Sequence, residues 1–180
     1  AGHPQYERPF GPMIPAMYAL AANRYMHDYG ATPEQLARVA VEHRANAALH
    51  PNAQEQNPIS IEDVLASKMI ATPLHMLDCS LVSDGGGALV VSRADRARDS
   101  ASVPVSILGA GEGHFNEHIH QAPSLTTSGA AQSGALAYAK AGLGPGDIDV
   151  AMLYDCFTIT VLIELEDLGF CARGEAGPFV

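Results

Sequence analysis

Three side chains capable of acid–base or nucleophilic chemistry stand together at the end of an apolar run. Residues 150–153 are apolar, and Tyr154, Asp155 and Cys156 follow directly. Residues 158–169 then place apolar side chains at helical spacing and end in a glycine. We therefore predict a strand over 148–154, a tight turn and a helix. Open α/β sheets commonly carry functional groups at the carboxyl ends of strands, so this turn is the candidate site.

Each of these three residues has a catalytic and a structural interpretation. Tyr154 could move a proton or bind an oxyanion, although a free phenol has a pKa of about 10, or it could donate its hydroxyl to a backbone carbonyl. Asp155 could support the site or cap the following helix. Cys156 could be activated near a helix N-terminus or be a small core residue, the role we expect for Cys79 and Cys171. The residues by themselves leave both interpretations open.

A second group of ionisable side chains lies upstream and contains His114, His118 and His120 with Glu112 and Glu117 among them. Such residues can ligate a metal, but no regular element places the three histidines on one side. We therefore expect histidines that are solvated or at the rim of a site, and no metal.

Two glycine-rich segments predict turns. Residues 83–87 separate the β-like runs 74–82 and 88–91, which predicts a hairpin with glycines at positive φ. Residues 109–113 lack the Lys-Ser/Thr ending of a P-loop and the full dinucleotide-binding spacing. A turn is the simpler prediction there.

Helix signals surround these segments. The residues 15–26 are good helix formers before Gly30, and Thr32 begins a Thr-Pro-Glu-Gln capping box. A second cap, Ser60 with Asp63, begins a short helix. A strand over 103–109, an alanine-rich helix over 127–141 and the strand and helix around Tyr154 then predict a parallel α/β unit. The unit follows a charged segment, residues 93–99, and its first strand begins at residue 103. A domain boundary is therefore predicted near residue 100.

Composition limits the possible functions. The 180 residues carry a formal net charge of −10, which argues against a nucleic-acid partner. Three cysteines without regular spacing suggest no disulfide framework and fit a reducing compartment. No run approaches the roughly 20 apolar residues of a membrane span, and the first residues lack a signal-peptide pattern. We expect a cytoplasmic protein.

The segment Tyr154–Phe157, with its helix ending in Leu-Gly-Phe-Cys, resembles the His-Asp-Cys-Phe segment of sterol-carrier-protein-type thiolases, with tyrosine in place of histidine. That replacement resembles the thiolase-like lipid-transfer proteins, which act as retro-aldolases on steroid side chains carried on coenzyme A. Further similarity lies in residues 24–30, 62–65 and 77–88, so it spans nearly the whole chain.

The resemblance implies an α/β, thiolase-like fold that is partial. Residues 1–100 would be the end of the first half-domain, with a helical loop region over 1–70 that covers the acyl-coenzyme A channel. Residues 101–180 would start the second half-domain. We expect missing segments on both sides, one with the nucleophilic cysteine of true thiolases and one with a Gly-His-Pro-type motif.

The function implied by the resemblance is retro-aldol cleavage of a β-hydroxyacyl-coenzyme A, with a steroid side chain as the implied substrate class and Tyr154 as the catalytic residue. The coenzyme A thioester would be the substrate, with no tightly bound cofactor. The supporting residues would be Asp155, Cys156, Ser83, Asp84 and Gly85. The basic residues nearest the implied coenzyme A channel are Arg24, Arg38 and Arg44.

The resemblance also implies a homodimer, as in thiolases, and an OB-fold partner protein of the DUF35 type. Two other functions stay open. One is a true thiolase, an acyltransferase whose cysteine nucleophile lies in a missing segment. The other is a non-catalytic fragment or assembly module.

Overall fold

The computed structural model describes residues 2–11, 13–97 and 102–180. Helices dominate the described residues, and a single two-stranded antiparallel sheet joins them. The elements are α1 (Ile14–Tyr29), α2 (Pro33–Ala48), α3 (Ile61–Ala66), β1 (Met69–Ala71), β2 (Leu74–His75), α4 (Ala94–Ala97), α5 (Ala130–Ala141), α6 (Thr158–Asp167) and α7 (Ala176–Phe179). Short 3₁₀ helices cover Arg8–Phe10, Met76–Asp78, Ile119–Gln121 and Pro145–Asp147.

The predicted helix ends are confirmed where local chemistry specifies them. Gly30 ends α1 in the left-handed conformation, with φ of 70°, and donates its N–H to the Met26 carbonyl. Thr32 and Gln35 form the capping box of α2, because each side chain accepts the other's backbone N–H, at 3.4 and 3.0 Å. Ser60 and Asp63 repeat this arrangement at α3.

Helix α6 forms the centre of the core. Its side chains at Ile159 and Leu162 are fully buried, and Val161 and Leu165 are nearly so. It packs against α1, α2, α5 and α7. A helix that is apolar on most of its surface needs neighbours on most sides, and this requirement explains its central place.

Apart from Leu74–His75, the predicted strands over 74–82, 88–91, 103–109 and 148–154 form no ladder among the described residues. Only Leu74–His75 pairs, with β1, and an isolated bridge joins Cys79 to Phe157. The glycine hairpin is also wrong, because no glycine of 85–87 has positive φ. A strand needs a hydrogen-bonded neighbour, and beyond these two contacts the segments have none within the described residues. Their apolar side chains are therefore exposed: Val82, Val90, Val105 and Met152 are more than nine-tenths accessible.

The predicted turn over 109–113 is replaced by a close contact with α5. Alternate glycines of this segment face the helix, and a Cβ at Gly109 would lie 2.2 Å from the Ala137 carbonyl oxygen. A Cβ at Gly111 would lie 2.0 Å from the carbonyl oxygen of Ser133, one helical turn away. The Gly-x-Gly-x-Gly pattern therefore permits backbone-to-backbone packing, and it does not form a phosphate loop.

The predicted boundary near residue 100 lies outside the described residues, as do Pro12 and residues 98–101. Core residues from both sides of it, such as Leu36 and Leu162, belong to one cluster. The division into 1–100 and 101–180 stays a prediction.

No helix within the described residues is both long and apolar enough to cross a membrane.

Candidate functional site

The candidate turn, residues 154–156, lines a groove with a volume of about 1010 Å³. One wall comes from α2 and includes His43 and Arg44, and the other comes from the turn with Tyr154, Asp155 and Cys156. Residues 76–82, the first residues of α1 and part of the loop after α2 complete the lining. The structure thus brings the candidate residues to one opening and joins them with basic groups far away in sequence.

Tyr154 stands at the groove with an exposed side chain, 66% accessible. Its backbone N–H donates to Glu164 Oε2 at 2.9 Å, which ties it to α6. Burial raises the pKa of the Glu164 carboxyl, and this hydrogen bond opposes the rise. The Tyr154 hydroxyl forms no hydrogen bond with any described residue, so the structural interpretation, a hydroxyl donated to a backbone carbonyl, is not observed.

Asp155 is paired across the groove. Its Oδ2 lies 3.0 Å from His43 Nδ1, a contact between residues 112 positions apart. It does not cap α6, whose N-cap residue is Phe157 and has no side-chain cap bond. When the Asp155 carboxylate is ionised it only accepts hydrogen bonds, so Nδ1 of His43 is then the donor in this contact.

Cys156 is partly buried and is not aligned with an activating base. Its Sγ lies 3.3 Å from Thr160 Oγ1, and its carbonyl accepts the Ser80 N–H at 3.0 Å. The Tyr18 phenol is also a neighbour; burial and the Cys156 contact both raise the pKa of Tyr18. The Tyr18 ring stacks on Phe157 with centroids 4.4 Å apart. Cys156 therefore packs against the core beneath the turn and also lines the groove, and its supporting role in the site stays a prediction.

Cys79 and Cys171 also lie against the core, as expected, and both are free thiols. Burial raises the pKa of each thiol, so the geometry favours neither as a nucleophile.

Asp78 supports the floor of the groove and was not predicted. It is 4% exposed and accepts hydrogen bonds from the Thr158 hydroxyl at 2.9 Å and the His75 N–H at 2.8 Å. This carboxylate joins the segment after β2 to the first residue of α6. Sequence spacing could not reveal it, because 80 positions separate Asp78 from Thr158.

The three predicted arginines occupy different places. Arg44 lines the groove and donates to the Asn57 carbonyl at 3.1 Å. Arg38 lines a separate pocket of about 350 Å³. Arg24 lines neither and pairs with Asp28 at 2.6 Å.

Three residues were predicted to support the site: Ser83, Asp84 and Gly85. They lie beside the groove and do not line it. Ser83 donates to Gln54 Oε1 at 2.8 Å, so this segment contacts the loop after α2. Its role in the site stays a prediction.

Two of the three upstream histidines lie against a buried carboxylate. Glu7, 5% exposed, lies 3.1 Å from His120 Nδ1 and 3.5 Å from His118 Nδ1. His114 instead pairs with Glu112 at 2.8 Å. Within the described ranges no set of three or more ligating residues is arranged to hold a metal ion.

Comparison with known proteins places this site in a family context. Residues 111–180 match the thiolase C-terminal domain-like family. The steroid side-chain-cleaving aldolase of Thermomonospora curvata is 48% identical over 96% of this chain and 46% of its own length. An acetyl-CoA acetyltransferase of Methanothermobacter thermautotrophicus is 38% identical over 98% of this chain and 46% of its own length. The chain thus spans about half the length of these relatives.

A solved structure, the Ltp2-ChsH2(DUF35) aldolase, superposes with a TM-score of 0.91 at 47% sequence identity. The match covers 96% of this chain and 47% of that one. The fold of this chain is therefore that of the corresponding part of this aldolase structure.

Proposed function

Because this chain belongs to the thiolase superfamily, we propose that the enzyme containing it is a carbon–carbon lyase that acts on an acyl-coenzyme A. The reaction proposed is retro-aldol cleavage of a β-hydroxyacyl-coenzyme A. A steroid side chain is the proposed substrate class, because a relative at 48% identity is a steroid side-chain-cleaving aldolase. The acetyltransferase relative supports a coenzyme A thioester as the substrate.

The proposed chemistry transfers electrons toward the thioester. Tyr154, as the phenolate, accepts the proton of the β-hydroxyl, the Cα–Cβ bond breaks, and a ketone leaves while the bond electrons form a thioester enolate. Fixed hydrogen-bond donors then stabilise the developing negative charge, which is usually the largest catalytic contribution. Return of a proton to Cα of the enolate gives the shortened acyl-coenzyme A and restores the phenolate when that proton comes from Tyr154. No covalent acyl-enzyme forms, so this chemistry does not need a cysteine nucleophile.

The proposal rests on the exposure and the free hydroxyl of the Tyr154 side chain. It is 66% exposed, it lines the groove, and its hydroxyl has no hydrogen-bond partner among the described residues. A phenol hydroxyl without a protein partner is available to a bound substrate. The hydroxyl of Tyr138, in contrast, is engaged by the Leu168 carbonyl at 3.2 Å.

The first test is Tyr154→Phe in the full-length protein that contains this chain. Loss of the hydroxyl alone should lower kcat for ketone release by about 10²- to 10⁴-fold, the usual contribution of general acid–base catalysis. Tyr6→Phe removes an exposed hydroxyl outside the groove and should leave kcat unchanged.

Tyr154→His is the informative companion, because histidine stands at this position in the thiolase segment that the turn resembles. We expect it to restore proton transfer without restoring aldol cleavage. Retro-aldol turnover of Tyr154→Phe within a few-fold of the parent would instead assign the hydroxyl a structural role.

A second candidate function is acyl transfer, and the acetyl-CoA acetyltransferase relative supports it. It would need a cysteine nucleophile outside this chain, and Tyr154 in place of histidine argues against it. Incubation of the full-length protein with acetoacetyl-coenzyme A and free coenzyme A, with acetyl-coenzyme A measured, separates the two. Acetyl-coenzyme A formation would favour the acyltransferase.

We also propose the assembly and the location. The solved aldolase structure contains a DUF35 protein by name, which supports an OB-fold partner of that type for this enzyme. A homodimer is proposed from the thiolase resemblance, and the cytoplasm is proposed as its compartment. Among the three arginines, Arg44 is proposed to contact coenzyme A phosphate first, because it lines the groove with Tyr154.

A further inference from the structure

We propose that His43 is a positioning residue for Tyr154: it holds Asp155 and thereby fixes the turn that presents the phenol to the groove. The inference rests on the proposed function, because it concerns the same groove and the same reaction. It adds a residue on α2 that lies 112 positions from its partner and that no local motif indicated.

The contact is directional. Asp155 Oδ2 accepts from His43 Nδ1 at 3.0 Å, and this is the sole hydrogen bond of the Asp155 side chain within the described residues. The two side chains are 42% and 58% exposed, so neither is held by burial. The position of the Asp155 carboxylate therefore depends on the His43 ring.

Three elements restrain the turn from three sides. Helix α6 accepts the Tyr154 N–H through Glu164 at 2.9 Å. The segment after β2 holds the carbonyl of Cys156 through the Ser80 N–H at 3.0 Å. The contact of Asp155 with His43 supplies the third restraint and ties the turn to α2, the opposite wall of the groove.

The charges around the turn give this third restraint a role. Asp155 lies close enough to Glu164 to contribute to the raised pKa of that carboxyl, so the two carboxylates repel each other when both are ionised. A donor at His43 offsets this repulsion on the Asp155 side. Without it, we expect the carboxylate to turn away from Glu164 and to shift the adjoining Tyr154. Misplacement of a catalytic group by about 1 Å can lower turnover by ~10²-fold.

The test compares His43→Ala with His43→Asn in the full-length protein, measured by ketone release. The Asn amide nitrogen is attached through Cβ and Cγ, as Nδ1 of histidine is, so asparagine can still donate to Asp155. We expect His43→Ala to lower kcat by about 10- to 100-fold with little change in KM. We expect His43→Asn to keep kcat within about 3-fold of the parent, because the restraint is retained.

The matched control is His27→Ala, which removes a histidine that contacts Asp28 at 2.9 Å on α1, away from the groove. Its kcat should be unchanged. Asp155→Ala completes a double-mutant cycle with His43→Ala, and the double variant should be no slower than the slower single variant if the two residues act as a pair.

Three results would overturn the inference. His43→Ala with parental kcat would show that the contact is dispensable. His43→Asn as slow as His43→Ala would show that the imidazole itself is required. Independent, multiplying effects in the double variant would show that the residues do not act together. Failure of the proposed function is separate, because it would appear as absent retro-aldol activity in the parent protein.

Discussion

Several buried or functional side chains of this chain are held by partners distant in sequence. Glu166 is the clearest example: it is 7% exposed and accepts the Tyr25 hydroxyl, 141 positions away, and the backbone N–H groups of Gly174 and Ala176. Arg173 donates to its other oxygen at 3.3 Å. This carboxylate thus joins α1, α6 and the segment leading to α7, as Asp155 joins the candidate turn to α2.

Glu7 provides the prediction at the residue scale. Hydrogen bonds from the His3 N–H and from His120 lower the pKa of Glu7 from 4.5 to about 2 in the folded protein. A depressed carboxyl pKa stabilises the fold above the unfolded pKa, and this contribution is lost as pH falls from about 4.5 to about 2.

Glu7→Gln should therefore be less stable than the parent near neutral pH, and the difference should shrink across this window. The measurement is the free energy of unfolding in urea at several pH values. Glu42→Gln, which changes an exposed partner of Arg38, should differ little from the parent throughout. A Glu7→Gln difference that is constant from pH 7 to pH 2 would contradict the assignment.

At the scale of elements, the helices are specified locally and α6 organises them. Its buried side chains contact helices from both parts of the chain. Because neighbours surround α6, the structure around a truncated side chain there can collapse only partly into the cavity. The extended segments differ, because a strand is completed by another strand and not by its own residues.

Leu162 therefore gives the prediction for this scale. It is fully buried in α6, and Leu162→Ala should lower the free energy of unfolding by about 2 to 5 kcal/mol, through lost apolar transfer and a remaining cavity. Leu20→Ala makes the same change at a 55% exposed position of α1 and should cost less than about 1 kcal/mol. Equal losses in the two variants would show that α6 is not the centre of the core.

At the scale of the whole molecule, the chain presents a large apolar surface. Many of the most exposed apolar side chains belong to the unpaired segments, among them Leu89, Val91, Val103, Ile107 and Val150. Unpaired backbone and contiguous apolar surface both favour association with further strands.

The 180-residue chain produced alone should therefore associate. Size-exclusion chromatography with light scattering should find species heavier than the 18.9 kDa chain. Mixing it with the remaining segments of a full-length relative should reduce self-association. A monodisperse monomer with a cooperative thermal transition would contradict this prediction.

The sequence alone determined the features that depend on near neighbours. The caps at Thr32 and Ser60, the glycine end of α1 and the helix after Tyr154 follow from spacings of three or four residues, and all are confirmed. Several motifs in one order also determined the thiolase resemblance, which the comparisons support. Local hydrogen bonds and side-chain periodicity are sufficient for these features.

Tertiary structure decided the pairings across the chain. It brought His43 to Asp155, set Asp78 under α6 and turned the glycines of 109–113 onto α5. It also left the predicted strand segments without partners among the described residues. Contacts between residues about 80 or 112 positions apart arise from the packing of whole helices, and no local spacing encodes them. For the same reason, the turn at Tyr154 could be located from sequence, whereas the groove around it could not.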